Sequence, residues 1–288
     1  MIQKIAVAGA GTMGSGIALA AAQSAYDVIL FDTNGMVLEK AKASITNNLD
    51  FLVQKQKITS AESKAVLDRI KFSAAIEDCT AELIIEAIIE IAAAKISLFN
   101  QLAAINPATT IFASNTSSLS ISEIQAGIVN PQRVAGMHFF NPAQIMKLVE
   151  VVKAEQTDDH ITDELMQVCK QMNKTPVLCK DAPGFIVNRV ARHYYLEAMR
   201  LVEQGTASFE NVDEIMESSG FKMGPFKLMD LIGMDINLAV SQSLYEAFDH
   251  EPRFKPSPLQ IDKVAKGDLG KKTGNGFYSY TESKNQQA

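Results

Sequence analysis

A histidine and a glutamate twelve residues apart, in a run that is otherwise almost wholly apolar, are the residues of this 288-residue chain best suited to chemistry. The run is Gly136 to Glu150, G-M-H-F-F-N-P-A-Q-I-M-K-L-V-E, and of the four histidines only His138 lies in such a context. Imidazole has the unperturbed side-chain pKa nearest neutrality, so it can take and return a proton at physiological pH. A carboxylate on one ring nitrogen fixes the tautomer and steadies the protonated form, and Glu150 is the natural partner. Their spacing is too long for one helical face; it suits two extended segments joined at an Asn141-Pro142 turn. By itself the pair is open between a proton-transfer dyad and a structural histidine near a strand-end glutamate. The elements around it have to distinguish the two.

Composition bounds what those elements serve. Hydrophobic residues make up 47% of the chain and charged residues 21%, an ordinary globular balance, and the length suits two domains with a substantial core. A net charge of −6 argues against nucleic acid or an anionic membrane surface as partner, since both need a basic face. Any phosphate must therefore be held by local features. Cys79, Cys169 and Cys179 are widely separated and lack metal-ligand spacing. They read as reduced thiols of a cytoplasmic protein, packed as small hydrophobes, and no metal site is expected. The opening run Ile2 to Ala8 is strand-like, with neither a basic region nor a long apolar span, so no export or membrane segment is expected.

A phosphate-holding feature follows that run directly. Gly9, Gly11 and Gly14 form G-x-G-x-x-G, with Thr12 and Met13 inside it, between the apolar run and a helix of small residues. The first glycine allows the tight turn, the second lets backbone approach a pyrophosphate, and the third lets helix and strand pack closely. The helix N-terminus then offers unsatisfied N–H groups to an anion. The next strand, Val28 to Phe31, ends in Asp32, eighteen residues after Gly14. That is near the ~20 expected of an acid that hydrogen-bonds a ribose diol. A carboxylate there repels a 2′-phosphate, which favours NAD over NADP.

Beyond Asp32 helix and strand patterns alternate. Helices are predicted over Met36 to Gln56, Ala61 to Arg69, Ile91 to Ile105 and Thr157 to about Met172. Strands are predicted over Leu83 to Ala87, Thr110 to Ser114, Val134 to Phe139, Leu148 to Val152 and Thr175 to Cys179. This is the pattern of an α/β fold with a doubly wound, mostly parallel sheet, whose ligands lie beyond the carboxyl ends of its strands. Polar residues cluster after those ends: Glu86, Glu90 and Lys95, then Asn115 and Ser117 of an N-T-S-S run, then His138 and Asn141. Each also has a plainer reading as a turn, a cap or a solvated helix start.

After D-A-P-G at Asp181 to Gly184 the strands stop. Apolar residues from Phe185 to Val202 recur every three to four positions, predicting an amphipathic helix that ends at Gly205. Further helices are predicted over Val212 to Ser218, from Pro225 across Gly233 to Phe248, and in a short stretch ending at Gly267. The division is thus residues 1–182 and an all-helical 183–288. The second part holds more apolar and aromatic residues than one small helical layer buries, which points to a homodimer interface.

The motifs, in order, resemble those of the 3-hydroxyacyl-CoA dehydrogenase family over nearly the whole chain. They are G-A-G-T-M-G-S-G at Gly9, S-N-T-S-S at Ser114, M-H-F-F-N-P at Met137, D-A-P-G-F-I-V-N-R at Asp181, M-G-P-F at Met223, L-M-D-L-I-G at Leu228 and G-K-K-T-G-N-G-F-Y at Gly270. The resemblance implies a Rossmann-type NAD-binding domain followed by a helical substrate and dimerisation domain. It implies that His138 is the general base, Glu150 its orienting carboxylate, and Ser117, Asn141 and Asn188 the polar groups around substrate and histidine. Glu90, Lys95, Asn115 and Asn141 would join Gly9, Gly11, Thr12, Met13, Gly14 and Asp32 around the cofactor. One departure concerns the glutamate matched by Glu90: the family usually has asparagine directly after it, whereas Ile91 and three alanines follow here.

The activity implied is reversible oxidation of a short-chain (S)-3-hydroxyacyl-CoA, such as 3-hydroxybutyryl-CoA, to the 3-ketoacyl-CoA. G-F-K-M-G-P-F-K-L-M-D-L-I-G and P-S-P-L-Q look like the branch that oxidises 3-hydroxyadipyl-CoA. That substrate needs a cation at its acyl tail, for which Arg192 and Lys222 are candidates. A non-catalytic NAD-binding or structural relative is the reading from another class; the joint presence of His138, Glu150, Ser117 and Asn188 argues against it. Lys55 and Lys57, at the end of the long first-domain helix, are candidates for the CoA phosphates, against the plainer reading of a solvated basic turn.

Overall fold

The computed structural model describes residues 2–280. Strand β1 (Lys4–Ala8) buries every residue but its first. Helix α1 (Thr12–Gln23) is so rich in glycine and alanine that it lies close against the sheet, with Gly14 through Ala22 all buried. β2 (Asp27–Phe31) returns parallel to β1. Helix α2 (Gly35–Gln54) starts where the Asn34 side chain accepts the Met36 N–H at 3.0 Å. It buries only Leu38, Ala41, Ile45 and Leu49, a single stripe at helical spacing. α3 (Ser60–Asp68) opens on a Thr59–Glu62 capping box.

β3 (Ile70–Ser73), β4 (Leu83–Glu86), β5 (Ile111–Ser114), β6 (Val134–Phe139), β7 (Leu148–Lys153) and β8 (Thr175–Lys180) complete an eight-stranded sheet of order β3-β2-β1-β4-β5-β6-β7-β8. β1 lies between β2 and β4, so the winding direction reverses there and a crevice opens at the carboxyl ends of β1 and β4. Neighbouring strands are parallel except β6 and β7, which pair antiparallel. The helices that follow these strands are α4 (Ala92–Ile105), α5 (Ile121–Ala126) and α6 (Asp159–Gln171).

Two of these elements lie outside the sequence reading. β3 is four residues long and follows α3 without a turn signal; it takes its shape from pairing with β2. α5 is short but was legible in principle, because Ser120 accepts the Glu123 N–H in an S-x-x-E start.

The chain divides between Ala182 and Pro183. The second unit consists of α7 (Val187–Glu203), α8 (Phe209–Ser218), α9 (Pro225–Ile232), α10 (Met234–Ala247) and α11 (Pro258–Ala265). One long helix from Pro225 to Phe248 does not form. Gly233, at φ +105°, breaks it, and the Met234 N–H is taken by Leu269 O at 3.2 Å, from the returning C-terminal segment.

Two buried carboxylates pin that segment and α9. Asp213 accepts the Phe226 and Lys227 N–H groups at the start of α9 (2.8 and 2.9 Å) and the Tyr278 hydroxyl (2.8 Å). Asp230 accepts the Phe277 and Tyr278 N–H groups (both 2.9 Å) and the Tyr280 hydroxyl (3.0 Å). Gly276 permits the approach, since a Cβ there would lie 2.1 Å from Asp230 Oδ1. Buried donors stripped of their acceptor carry the full desolvation cost, so Asp230→Ala is predicted to destabilise the helical unit by about 2–4 kcal/mol. Urea unfolding followed by tyrosine fluorescence reads this unit, which holds every tyrosine but Tyr26 in a chain without tryptophan. A loss below about 0.5 kcal/mol, the range of an ordinary surface change, would refute the pinning role.

Candidate active site

The glycine-rich turn divides its labour among three positions. Gly9 has φ +103°, and a Cβ on it would lie 2.5 Å from Ala87 O of the β4 exit loop. A Cβ on Gly14 would lie 1.7 Å from Gly9 O. Both serve close approach of protein to protein. Gly11 differs: it is exposed, a Cβ on it would meet nothing within 4 Å, and it caps α1 with no side chain. The approach to the helix N-terminus is left clear there, which fits a pyrophosphate. Thr12 is exposed and Met13 half-buried in the first turn. Asp32 is half-buried at the end of β2; its two oxygens accept the Ala10 and Asn34 N–H groups, each at 2.9 Å. The acid thus braces the turn.

The β6–β7 ladder pairs His138 directly with Glu150. Directly opposed residues share a sheet face, and His138 Nδ1 lies 2.7 Å from Glu150 Oε2. His138 is 6% exposed and Glu150 1%. A carboxylate only accepts, so in the neutral imidazole Nδ1 carries the proton and Nε2 the lone pair. The Phe140 ring lies 4.4 Å from the imidazole, centroid to centroid. Asn115, after β5, accepts the Phe139 N–H on its Oδ1 at 2.8 Å, fastening β5 beside the histidine. Asn141 is exposed and begins the loop to β7 through a cis peptide to Pro142.

After β4 two of the three charges are buried. Glu86 is fully buried and accepts from Lys95 Nζ (2.7 Å), Ser114 Oγ (2.6 Å) and the Ile88 N–H (2.6 Å). Lys95 is 1% exposed and also reaches Glu90 at 3.1 Å. Glu90 in turn accepts from Thr116 Oγ1 (2.5 Å), the Ser117 N–H (3.0 Å) and Ser118 Oγ (3.1 Å). Burial opposes its charge, but the Lys95 ammonium, the Thr116 hydroxyl and the Ser117 N–H outweigh it and hold the carboxyl below its ordinary range. The Lys95 ammonium is thus enclosed between two carboxylates. Ile91 caps α4 with no side-chain hydrogen bond.

A cleft of about 310 Å³ runs beside this turn. It is lined by Gly11, Thr12 and Ser15 of α1, by Lys40, Ser44 and Asn48 of α2, and by Asn141 and Gln144 of the β6–β7 loop. Asn48 and Gln144 were missed in the sequence, although the spacing of Lys40, Ser44 and Asn48 by four marks one face of a helix. Lys55 lies seven residues beyond Asn48, two turns or about 10 Å further along that face. Lys55 and Lys57 are both exposed, and Lys55 Nζ stands 5.6 Å from the Phe51 ring centroid.

In the helical unit Asn188 is half-buried in the first turn of α7. Arg192 is not available as an acyl-tail cation. It is 2% exposed, and its Nη1 donates to Asn237 O (2.8 Å), Asn237 Oδ1 (3.2 Å) and Ser241 Oγ (2.9 Å). Burial lowers its pKa to about 10. Lys222 is exposed.

Residues 4–182 match the 3-hydroxyacyl-CoA dehydrogenase NAD binding domain, and residues 184–280 the 3-hydroxyacyl-CoA dehydrogenase C-terminal domain. A 3-hydroxyadipyl-CoA dehydrogenase of Escherichia coli K12 is 44% identical over 97% of the chain, which spans only 59% of that protein's length. A probable 3-hydroxybutyryl-CoA dehydrogenase of Bacillus subtilis is 42% identical over 98% of both chains. The crystal structure of (S)-3-hydroxybutyryl-CoA dehydrogenase from Ralstonia eutropha superposes with a TM-score of 0.93 at 38% identity, covering 97% of this chain and 99% of that one. With both of its units matched, a glycine-rich turn shaped for a pyrophosphate and an acid at the end of β2, the chain belongs to the NAD-dependent 3-hydroxyacyl-CoA dehydrogenase family.

Proposed function

We propose that the protein oxidises short-chain (S)-3-hydroxyacyl-CoA esters, such as 3-hydroxybutyryl-CoA, to 3-ketoacyl-CoA and catalyses the reverse, with His138 and Glu150 as its proton-transfer pair. The observation that carries the reading is the buried 2.7 Å contact of these two side chains across β6 and β7. When bound, NAD supplies the nicotinamide carbon that accepts hydride from the substrate. Neutral His138 takes the hydroxyl proton on Nε2 as the hydride leaves, and Glu150 stabilises the resulting imidazolium without being protonated itself. In reduction, the imidazolium returns that proton to the 3-keto oxygen. Ser117 and Asn188 are assigned the hydrogen bonds to the reacting oxygen, so that its position is set before transfer. Gly9, Gly11, Thr12, Met13, Gly14, Asp32, Glu90, Lys95, Asn115 and Asn141 are assigned to the cofactor.

The cleft beside α2 takes the thioester arm in this reading, with Lys55 and Lys57 at its far end for the CoA phosphates. The helical unit exposes Ile215, Phe221, Leu231, Ile236 and Ile261, which supports a homodimer through that unit. The cysteines are unpaired, in keeping with a cytoplasmic enzyme. Among the described residues no helix is long and apolar enough to cross a membrane.

The E. coli relative's name favours a second substrate, a 3-hydroxyadipyl-type ester, for which Lys222 is the remaining candidate cation. Turnover compared with acetoacetyl-CoA and 3-oxoadipyl-CoA separates the two, and NADH oxidation that fails with both would leave a non-catalytic NAD-binding protein. His138→Ala is predicted to lower turnover by about 10²–10⁴-fold while NADH binding, read by its fluorescence, persists. Near-normal turnover in the folded variant removes His138 from the mechanism. Replacing Lys55 and Lys57 together by glutamine is predicted to weaken acyl-CoA affinity by about tenfold, the ~1.4 kcal/mol expected of two exposed charge contacts, with NADH affinity unchanged. Equal affinity for both ligands in wild type and variant would return these lysines to the solvated surface.

A further inference from the structure

A buried lysine outside the proton-transfer pair braces one wall of the cleft. Residues 140–147 join β6 to β7, and Asn141, Pro142 and Gln144 of this loop face the cleft. The loop packs on α1 at Gly16, where a Cβ would lie 2.9 Å from Gln144 Oε1 and 3.1 Å from Ala143 Cβ. Further contacts come from the turn before β8. Lys174 is 8% exposed, and its Nζ donates to Ala143 O at 2.6 Å and to Met146 O at 2.9 Å. The Thr175 N–H donates to Lys147 O (2.7 Å), and Lys147 Nζ to Asn173 O (3.2 Å). The backbone of Lys174 is itself tied to α6, its N–H donating to Cys169 O at 2.9 Å. Burial, then the charge of Lys147, lowers the pKa of the Lys174 ammonium. Enclosing such a group among carbonyls is a poor way to gain stability. What it supplies is geometry, because one cationic donor group fixes two carbonyls of the same loop.

We infer that Lys174 is a positioning residue for the acyl-CoA ester: by clamping the loop between Ala143 and Met146 it keeps Pro142 and Gln144 in place as the wall facing α2. This rests on the reading of the cleft as the seat of the thioester arm. The dyad is held separately, because His138 and Glu150 are set by the β6–β7 ladder and not by the loop. Loss of the clamp therefore changes substrate affinity and leaves the chemical step nearly intact.

Lys174→Met removes the donors at similar length, and Lys174→Gln keeps a polar group. In the full chain, Lys174→Met is expected to speed hydrogen exchange at the Ile145 and Met146 amides, which are bonded to Pro142 O. It is expected to raise KM for acetoacetyl-CoA by about tenfold, less than the ~10² of a badly misplaced group, with kcat and KM for NADH within about twofold. Lys174→Gln should fall between. Unchanged exchange, or faster exchange with unchanged KM, overturns the inference. So does a parallel loss of kcat and both KM values that follows the melting temperature, since that is plain destabilisation. An unaltered chain that fails to reduce acetoacetyl-CoA defeats the functional reading instead, while the exchange rates still test the clamp.

Discussion

The one antiparallel pairing in an otherwise parallel sheet is the constraint on which the site depends. Because β7 runs against β6, residue 138 faces residue 150 across a ladder of backbone hydrogen bonds, and both side chains point to one face. The relation is held by the sheet, so little side-chain entropy has to be spent at the moment it is used. With His138 and Glu150 both buried, water does not compete for the contact, and in that low dielectric the carboxylate acts strongly on the imidazole. A helix could not present this pair at its spacing of twelve. A parallel crossover would need a much longer connection than the loop found here.

Around that pairing, polar groups are buried for position more than for stability. Replacing a buried ion pair by apolar side chains is often neutral or stabilising, so Glu86 and Lys95 are poorly explained as a source of folding energy. Their geometry explains them better. Glu86 takes the hydroxyl of Ser114 at the end of β5, and Glu90 takes three donors from Thr116 to Ser118, so the loop bearing Asn115 and Ser117 is laced to the exit of β4. Lys174 does the same for the loop after β6. In the helical unit, Asp213 and Asp230 stand in for backbone acceptors and fix a C-terminal segment that has little regular structure of its own.

How much of this was legible depended on whether the signal was local. G-x-G-x-x-G after an apolar strand, with an acid eighteen residues on, states its own geometry, since Gly14 answers a contact with Gly9 five residues away and Gly11 leaves the helix N-terminus clear. The small-residue run of α1 likewise announces a buried helix. β3 was not visible, because a four-residue edge strand owes its conformation to pairing with β2 and not to its own periodicity. The break at Gly233 was obscured by a favourable pattern on both sides; it comes from the returning segment whose Leu269 carbonyl claims the Met234 N–H. Lys95 and Arg192 show the same limit. A charge on a helix face reads as solvated or ligand-facing until burial and partners, which are non-local, are known.

The sequence by itself determined the order of most strands and helices, the dinucleotide turn and its acid, and the residue types able to move a proton, because these are written in short-range spacing and in motifs kept together along the chain. Only the tertiary structure decided that His138 meets Glu150, that Lys95 lies between two carboxylates, and that Lys174 reaches across to the loop after β6. Those relations join segments far apart in the chain or across strands. Their strength comes from exclusion of water, a property of the folded packing that no stretch of residues carries alone.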